Sequence, residues 1–404
     1  MKGQVGQVWS WKGTRPLRGW RSIVDPRIPW MKTDWSVLVI ALALIALSLA
    51  FVYEMGRADE TYGRDDIVFA SHLKKYIVAF PFLIAGYFIR PRWLRGSAWL
   101  FYGGAIVLLI LVQVIGEERN SARRWIPMPM GFDLQPSELA KIGLILALGR
   151  SLYRNRLQSF TDWIFPGLLA ATPIVLVVAQ PDLGTALTIV PVTLGMFWLA
   201  GAKGETLVSL IVAGVVLGGL AWQFEWVQSY QLKRIDVWAR CFDQQELREE
   251  KNGPAFHAYM ARLSIGNGGA LGTGIGRGVA NEAGHLPERE SDSVFAVIAE
   301  EGGFVGATGL IAFYLTFTTL LFGAARRTRE RFSRLVVGGV ALFFASHFFI
   351  NVGVNLGLLP MTGLTLPLVS TGGSSLMASF LALGLALGLS ARREPSLDLD
   401  AFRG

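Results

Sequence analysis

Several ionisable residues stand where apolar surroundings make them expensive. Glu138 and Lys141 lie in one apolar run, and Glu300 and Glu301 follow Val294-Phe295-Ala296-Val297-Ile298-Ala299 in another. A charge at membrane depth costs about 2.5–3.5 kcal/mol on insertion scales unless it is paired or hydrated. Glu138 and Lys141 are three apart, so they share a helix face and can pair. Such a pair either locks two helices together or touches a substrate. Glu300 and Glu301 need a donor, a wet cavity or a basic partner from elsewhere in the chain. A further acid, Asp292, sits where the polar run Glu288-Arg289-Glu290-Ser291-Asp292-Ser293 turns into an apolar helix. Ser291 is placed to cap that helix, which puts Asp292 in the first turn, where the helix dipole favours the ionised carboxylate. Capping alone explains an acid there; a reacting carboxylate explains it equally. Arg123 and Arg124 beside Trp125 suit a phosphate or pyrophosphate with a sugar stacked nearby. An interfacial Trp with snorkelling Arg is the plainer reading.

The elements that must position these residues follow from composition. Of 404 residues 52% are hydrophobic and 17% charged, against about 25% charged in soluble domains. The apolar residues fall into blocks of span length, and lipid offers no partner to backbone polar groups, so the blocks must be helices. Ten spans result: 36–53, 76–90, 97–115, 136–152, 163–179, 183–200, 206–224, 294–322, 335–356 and 373–390. The second is short, the fourth carries Glu138 and Lys141, and the eighth is long enough to be tilted or partly outside the membrane. The fold class is therefore an all-α polytopic membrane protein of about ten transmembrane helices, with a large outer loop over about 225–293 between the seventh and eighth. The first apolar run follows about 34 polar and basic residues and reads as a retained helix, with no cleavable signal. One cysteine, Cys241, excludes an internal disulfide framework and a multi-cysteine zinc site. The four histidines are far apart, and no P-loop, HExxH or metal-ligand cluster occurs, so no metal site is legible.

Basic residues in short loops set the orientation. With the N-terminus in the cytoplasm, the cytoplasmic pieces carry 22 of the 38 Lys+Arg and only 8 of the 30 Asp+Glu. The high basic charge is then a topology signal, and nucleic acid is not a partner. The chain divides into a basic tail at 1–34, a membrane domain at 35–391 and a second cytoplasmic tail at 392–404. Trp9, Trp11, Trp20 and Trp30 are interleaved in the first tail, which rests on anionic headgroups or docks a partner. Gly266-Asn267-Gly268-Gly269-Ala270-Leu271-Gly272-Thr273-Gly274-Ile275-Gly276-Arg277-Gly278 has more glycine than a helix tolerates. It makes tight turns or cradles phosphates through backbone N–H groups.

Taken in order, these segments resemble the FtsW/RodA/SpoVE family, the SEDS proteins. The matching pieces are Arg124-Trp125-Ile126 with Gln135-Pro136-Ser137-Glu138-Leu139-Ala140-Lys141; Gln180-Pro181-Asp182-Leu183-Gly184-Thr185; Tyr230-Gln231 with Arg234; Leu286-Pro287-Glu288 with Ser291-Asp292 and Ala299-Glu300-Glu301; Asn351-Val352-Gly353; and Gly357-Leu358-Leu359-Pro360 through Gly363-Leu364-Thr365-Leu366-Pro367 to Gly372-Gly373-Ser374-Ser375. The likeness covers about 36–390. The chain departs from the family at Ser291-Asp292-Ser293, where Thr-Asp-Phe is usual, at Thr371, where most members have Tyr, and at Phe256–Met260, which replaces a Tyr-Gln run. Leu199–Lys203 and Gly276–Val279 look slightly more similar to the division-type FtsW branch than to the elongation-type RodA branch.

The resemblance implies a peptidoglycan glycosyltransferase of the inner membrane that polymerises lipid II, a disaccharide-pentapeptide on undecaprenyl pyrophosphate. It implies a class B penicillin-binding protein (a transpeptidase) as partner, along with other divisome or elongasome proteins. The family's signature acid falls on Asp292 and its functional tryptophan on Trp125. Arg123, Arg124, Glu138, Lys141, Glu300 and Glu301 complete the candidate substrate-binding set. No cofactor is implied; a divalent cation near the pyrophosphate is chemically plausible, though no ligand set is legible. Two other functions remain open at this level: a lipid II flippase, which needs unwound half-helices near the bilayer midplane, and a non-catalytic scaffold of the synthesis complex.

Overall fold

The computed structural model describes residues 30–61, 68–119, 122–128, 132–224, 229–240, 254–279 and 289–392. The tail up to residue 29, the stretch 62–67, parts of the large outer loop including His285 and Leu286-Pro287-Glu288, and the tail from 393 lie outside the described residues.

Among the described residues, ten long helices form where the apolar blocks are. They are α1 (Trp35–Thr61), α2 (Val68–Phe88), α3 (Pro91–Ile115), α4 (Pro136–Leu152), α5 (Phe160–Ala179), α6 (Leu183–Ala200), α7 (Gly204–Gln223), α10 (Val294–Arg327), α11 (Arg331–Asn355) and α12 (Gly373–Ala391). Among the described residues of the large outer loop there are two shorter helices, α8 (Ser229–Ala239) and α9 (Pro254–Asn267). Seven of the ten are long and apolar enough to cross a membrane; α7 has a shorter apolar stretch, Gly204–Leu220. The fourth, α4, has only 17 residues, and α2 is diluted by His72, Lys74 and Lys75. The second helix starts eight residues earlier than its apolar block suggests, because the polar turn 68–75 continues the helix. The segment between α3 and α4 is not helical. It folds as a small antiparallel sheet of β1 (Glu117–Arg119), β2 (Ala122–Met128) and β3 (Phe132–Leu134), in the order β1-β2-β3.

Burial sorts the helices. In their most apolar stretches α11 is 83% and α12 89% buried, against 22% for α3 and 28% for α5. Nearly all of α4 is buried as well, so the short, charged fourth helix is central, which is why it tolerates Glu138 and Lys141. Small residues bring α2 and α12 close together: a Cβ on Gly384 or Gly388 would stand 2.1 Å from the Leu83 or Tyr87 carbonyl oxygen. Helix pairs in lipid gain from such contact, because apolar burial alone offers little there. α7 stands off the bundle, exposed at every residue from Val208 to Leu220.

The two ends of the bundle differ chemically. At one end the basic residues of the short junctions tie the helices to one another. Arg95 pairs with Glu330 at 3.2 Å and Arg327 with Asp34 at 2.7 Å. Arg331 donates to the carbonyls of Asn155 and Ala200, and Arg150 to that of Arg95. The opposite end carries the small sheet, the Gln180–Asp182 turn, the start of α10 and the irregular segment 356–372.

Candidate active site

Asp292 lies in the turn that precedes α10, not in its first helical turn. The cap is Ser293, whose φ/ψ of −102°/12° is non-helical; this corrects the placement of Ser291 as cap. The Ser293 hydroxyl is 3.0 Å from His257 Nε2 of α9, and the Ser291 carbonyl accepts from the Ser370 hydroxyl. Asp292 is held through its backbone. Its carbonyl accepts from the side-chain amides of Asn351 and Asn355, both at 3.0 Å. These residues are four apart on α11, so both amides reach from one face of the helix. Asn351 also donates to the Leu364 carbonyl at 2.6 Å. Next in sequence is Gly363, where an added Cβ would stand 3.3 Å from Asp292 Oδ2. The carboxylate is thus half-buried against a residue with φ of +68° and no side chain.

The neighbouring Thr362 carries the site towards the other motifs. A Cβ on Gly184 would come within 2.5 Å of its carbonyl oxygen, so the start of α6 and the 362–363 backbone touch directly. Asp182 caps α6 by accepting from Thr185 N–H at 3.2 Å and from the Thr185 hydroxyl at 2.8 Å. It also accepts from the Gln135 side chain at 3.2 Å. Arg124 closes this cluster: Nε donates to the Gln180 carbonyl at 3.0 Å, a second nitrogen to the Pro181 carbonyl, and a third lies 3.8 Å from Asp182. Gln135 N–H donates to Ser374 at the start of α12, and Ser374 donates to the Asp133 carbonyl.

The candidate residues separate on this frame. Arg123 and Arg124 are neighbours on β2 at a register irregularity, and their side chains make different contacts. Arg124 faces the α5–α6 turn, whereas Arg123 is exposed beside Glu118 at 3.4 Å. Trp125 is half-buried and pairs with Glu117, and a register irregularity separates that pair from Arg123 and Glu118. Glu138 and Lys141 pair at 2.8 Å, and Lys141 Nζ is also 2.7 Å from His347 Nε2 of α11. All three are buried. An ammonium group only donates, so Nε2 accepts and the ring is neutral.

Glu300 and Glu301 are buried under the glycine-rich run. Helix α10 breaks at Gly303, whose φ/ψ is 63°/−161°. The break frees backbone groups that the run satisfies: Thr273 and Gly274 donate to the Glu300 and Glu301 carbonyls, and Phe304 and Val305 donate to Gly269 and Ala270. Gly276 N–H donates to the Glu301 carboxylate at 3.0 Å. The run makes close turns against α10. The long eighth span is accordingly two helical pieces joined at a kink.

The irregular segment 356–372 reaches far into the bundle. Three consecutive carbonyls, of Pro367, Leu368 and Val369, accept from the hydroxyls of Tyr314, Tyr76 and Ser48. Non-helical backbone at membrane depth is tolerated where protein groups satisfy it. Sequence reasoning did not single out these hydroxyls, or Asn355 and His347. A lone His in an apolar span and an Asn one turn after the Asn351 motif were the available signals.

The FtsW/RodA/SpoVE family profile, described as a cell cycle protein, matches residues 34–394. This chain belongs to the FtsW/RodA/SpoVE family. It is 34% identical over 370 residues to the probable peptidoglycan glycosyltransferase FtsW of Thiomicrospira cyclica, covering 88% of this chain and 90% of that one. It is 29% identical over 374 residues to the peptidoglycan glycosyltransferase MrdB of Escherichia coli K12, covering 91% and 97%. Relatives of both kinds match at about this level, so identity does not assign the chain to one branch. Among solved structures, a chain from a study of polymerisation and crosslinking by a peptidoglycan synthase complex is similar with a TM-score of 0.77 and 30% identity, over 91% of this chain and 100% of that one. The rod shape determining protein RodA of Thermus thermophilus is similar with a TM-score of 0.67 and 29% identity, over 91% and 99%. This family member is a polytopic, all-helical membrane protein. Among the described residues no group of three or more His, Cys, Asp or Glu could hold a metal ion.

Proposed function

We propose that this chain is a peptidoglycan glycosyltransferase that polymerises lipid II at the outer membrane face. The arginine-rich end of the bundle and both termini then lie in the cytoplasm, with 1–34 and 392–404 as tails of a membrane domain at 35–391. The observation that carries the reading is the mounting of Asp292. Its carboxylate rests on Gly363 while two asparagine amides hold its carbonyl, at the bundle end that also carries the Gln180–Asp182 turn and the start of α12.

The reaction is inverting transfer. The 4-hydroxyl of the lipid II N-acetylglucosamine attacks the anomeric carbon of the growing glycan. The new C–O bond forms as the bond to undecaprenyl pyrophosphate breaks, and the hydroxyl proton passes to Asp292. Base assistance of this kind is worth about 10²–10⁴-fold. Arg123 is exposed and Trp125 half-buried on the same strand, where a phosphate and a sugar can reach them. The network around Arg124, the Glu138–Lys141–His347 lock and the covered Glu300–Glu301 pair position the site from beneath. A class B transpeptidase is the fitting partner, since crosslinking consumes the polymer.

A flippase is favoured by one observation, the irregular segment deep in the bundle. Its carbonyls are closed by hydroxyls, however, which leaves a plug where a translocation path would run. The test is purified full-length protein with its cognate transpeptidase and lipid II. Wild type is expected to make glycan polymer, and Asp292→Asn to lose it about 10²–10⁴-fold while keeping its unfolding midpoint. Undiminished polymer from the variant removes Asp292 from the chemistry; translocation of labelled lipid II without polymer installs the flippase.

A further inference from the structure

A cation that the site has not yet used stands on α2. His72 and Tyr76, one turn apart, fix how this helix is rotated. His72 Nε2 is 2.9 Å from the Ser48 hydroxyl, Tyr76 donates to the Leu368 carbonyl at 2.6 Å, and the two rings meet edge-on at 4.6 Å. Lys75 lies three residues after His72 and next to Tyr76, so it flanks the buried face rather than opposing it. It is half-buried. Through Ser48 and Tyr76 this stretch of α2 meets Val369 and Leu368, which precede Ser370 and Thr371, the donors to the Ser291 and Glu290 carbonyls. Glu290 is two residues before Asp292, and its carbonyl accepts from Thr371 N–H at 2.9 Å. Asp133 belongs to β3, which Ser374 ties to the start of α12, the helix packed along α2. Lys75 therefore belongs to the stretch of α2 that packs beside the turn carrying Asp292.

Its partners are incomplete. Arg123, Arg124 and Lys141 each have a carboxylate within 4.0 Å. Lys75 has no such ion pair and no side-chain hydrogen bond among the described residues. An ammonium held partly out of water with open donors favours an anion that can supply the missing contacts. On the glycosyltransferase reading above, on which this inference rests, the anion delivered to this place is a diphosphate. It gains charge as the sugar leaves, and a compact point charge suits phosphate oxygens.

We propose that Lys75 binds the diphosphate of the lipid-linked substrate beside Asp292. Undecaprenyl pyrophosphate is titrated into the full-length protein in detergent and followed by tryptophan fluorescence, with undecaprenol as the phosphate-free control. Lys75→Met is expected to weaken undecaprenyl pyrophosphate binding by about 10- to 100-fold, to leave undecaprenol binding unchanged and to keep the unfolding midpoint. Lys75→Arg is expected to hold the diphosphate within a few-fold of wild type. Equal diphosphate affinity in Lys75→Met and wild type overturns the proposal, as does equal loss of both probes. If Lys75→Met does not fold, Lys75→Gln and Lys75→Arg carry the same comparison, and equal affinity in those two overturns it as well. Absence of polymer from wild type would remove the glycosyltransferase reading, whereas the binding comparison judges Lys75 alone.

Discussion

Lys141→Met isolates the energetic role of the buried lock between α4 and α11. Glu138 is 3% and Lys141 1% exposed, so water screens neither. Lys141 Nζ is 2.8 Å from Glu138 Oε1 and 2.7 Å from His347 Nε2, with the Phe343 ring centroid at 5.4 Å. Glu138 Oε2 has no hydrogen-bond partner among the described residues. Lys141 is thus the partner on which the carboxylate depends, and removing it strands a buried charge. Breaking such a pair costs about 3–5 kcal/mol, and the upper part of that range applies here. Glu138→Gln keeps an acceptor for Lys141 and should cost less, about 1–3 kcal/mol. The double variant Glu138→Leu/Lys141→Met removes both charges and leaves chiefly His347 Nε2 without its donor, again about 1–3 kcal/mol. Unfolding of the purified chain in detergent, followed by tryptophan fluorescence, measures all three, and Glu138→Leu alone completes a double-mutant cycle that extracts the coupling. A loss below about 1 kcal/mol for Lys141→Met, or a double variant no better than that single, would refute the view of the pair as a closed structural unit.

Two further expectations use the same unfolding assay. Gly303→Ala forces a side chain into a conformation that favours glycine and puts Cβ 2.3 Å from the Gly272 nitrogen, so it should cost of order 2–5 kcal/mol. Gly302→Ala, with open space around its Cβ position, should stay within about 1 kcal/mol of wild type. Arg124→Lys exchanges a fork that reaches Gln180, Pro181 and Asp182 for a single point charge, and should cost about 1.5–3 kcal/mol. Arg123→Ala, which breaks an exposed pair with Glu118, should cost less than about 1 kcal/mol.

The spans were legible because apolar length is a one-dimensional property, and lipid forces such lengths into helices. Even the charged fourth helix was readable, since Glu138 and Lys141 at a spacing of three announce their pairing. The third member, His347, was not, because it meets them from 206 residues away. The cap of α10 was misplaced by two residues for a local reason. Ser291, Asp292 and Ser293 are all good caps, and the choice among them is made by tertiary bonds to Ser370, Asn351, Asn355 and His257. Arg123 and Arg124 read alike in sequence; only the strand, whose short partners β1 and β3 have no apolar run to reveal them, sends one outward and one onto the Gln180 turn. The glycine run announced close approach without saying to what, since the approached surface is the kink at Gly303.

The acid is positioned mainly by backbone that belongs to no helix. The turn that carries it is held by Thr371 N–H on the Glu290 carbonyl, Ser370 on the Ser291 carbonyl, and Asn351 and Asn355 on the Asp292 carbonyl. Two of these four contacts come from the irregular segment 356–372 and two from the end of α11. The segment in turn hangs on Tyr314, Tyr76 and Ser48, which belong to three different helices. A hydrogen bond of this kind adds only about 1 kcal/mol when made, but a buried carbonyl left without one costs about 1–3 kcal/mol. That asymmetry accounts for hydroxyls at positions where composition alone would favour Phe or Ala. It also gives the carboxylate a mounting that α10 by itself could not supply, because helical order in α10 begins only after Asp292 and breaks again at Gly303.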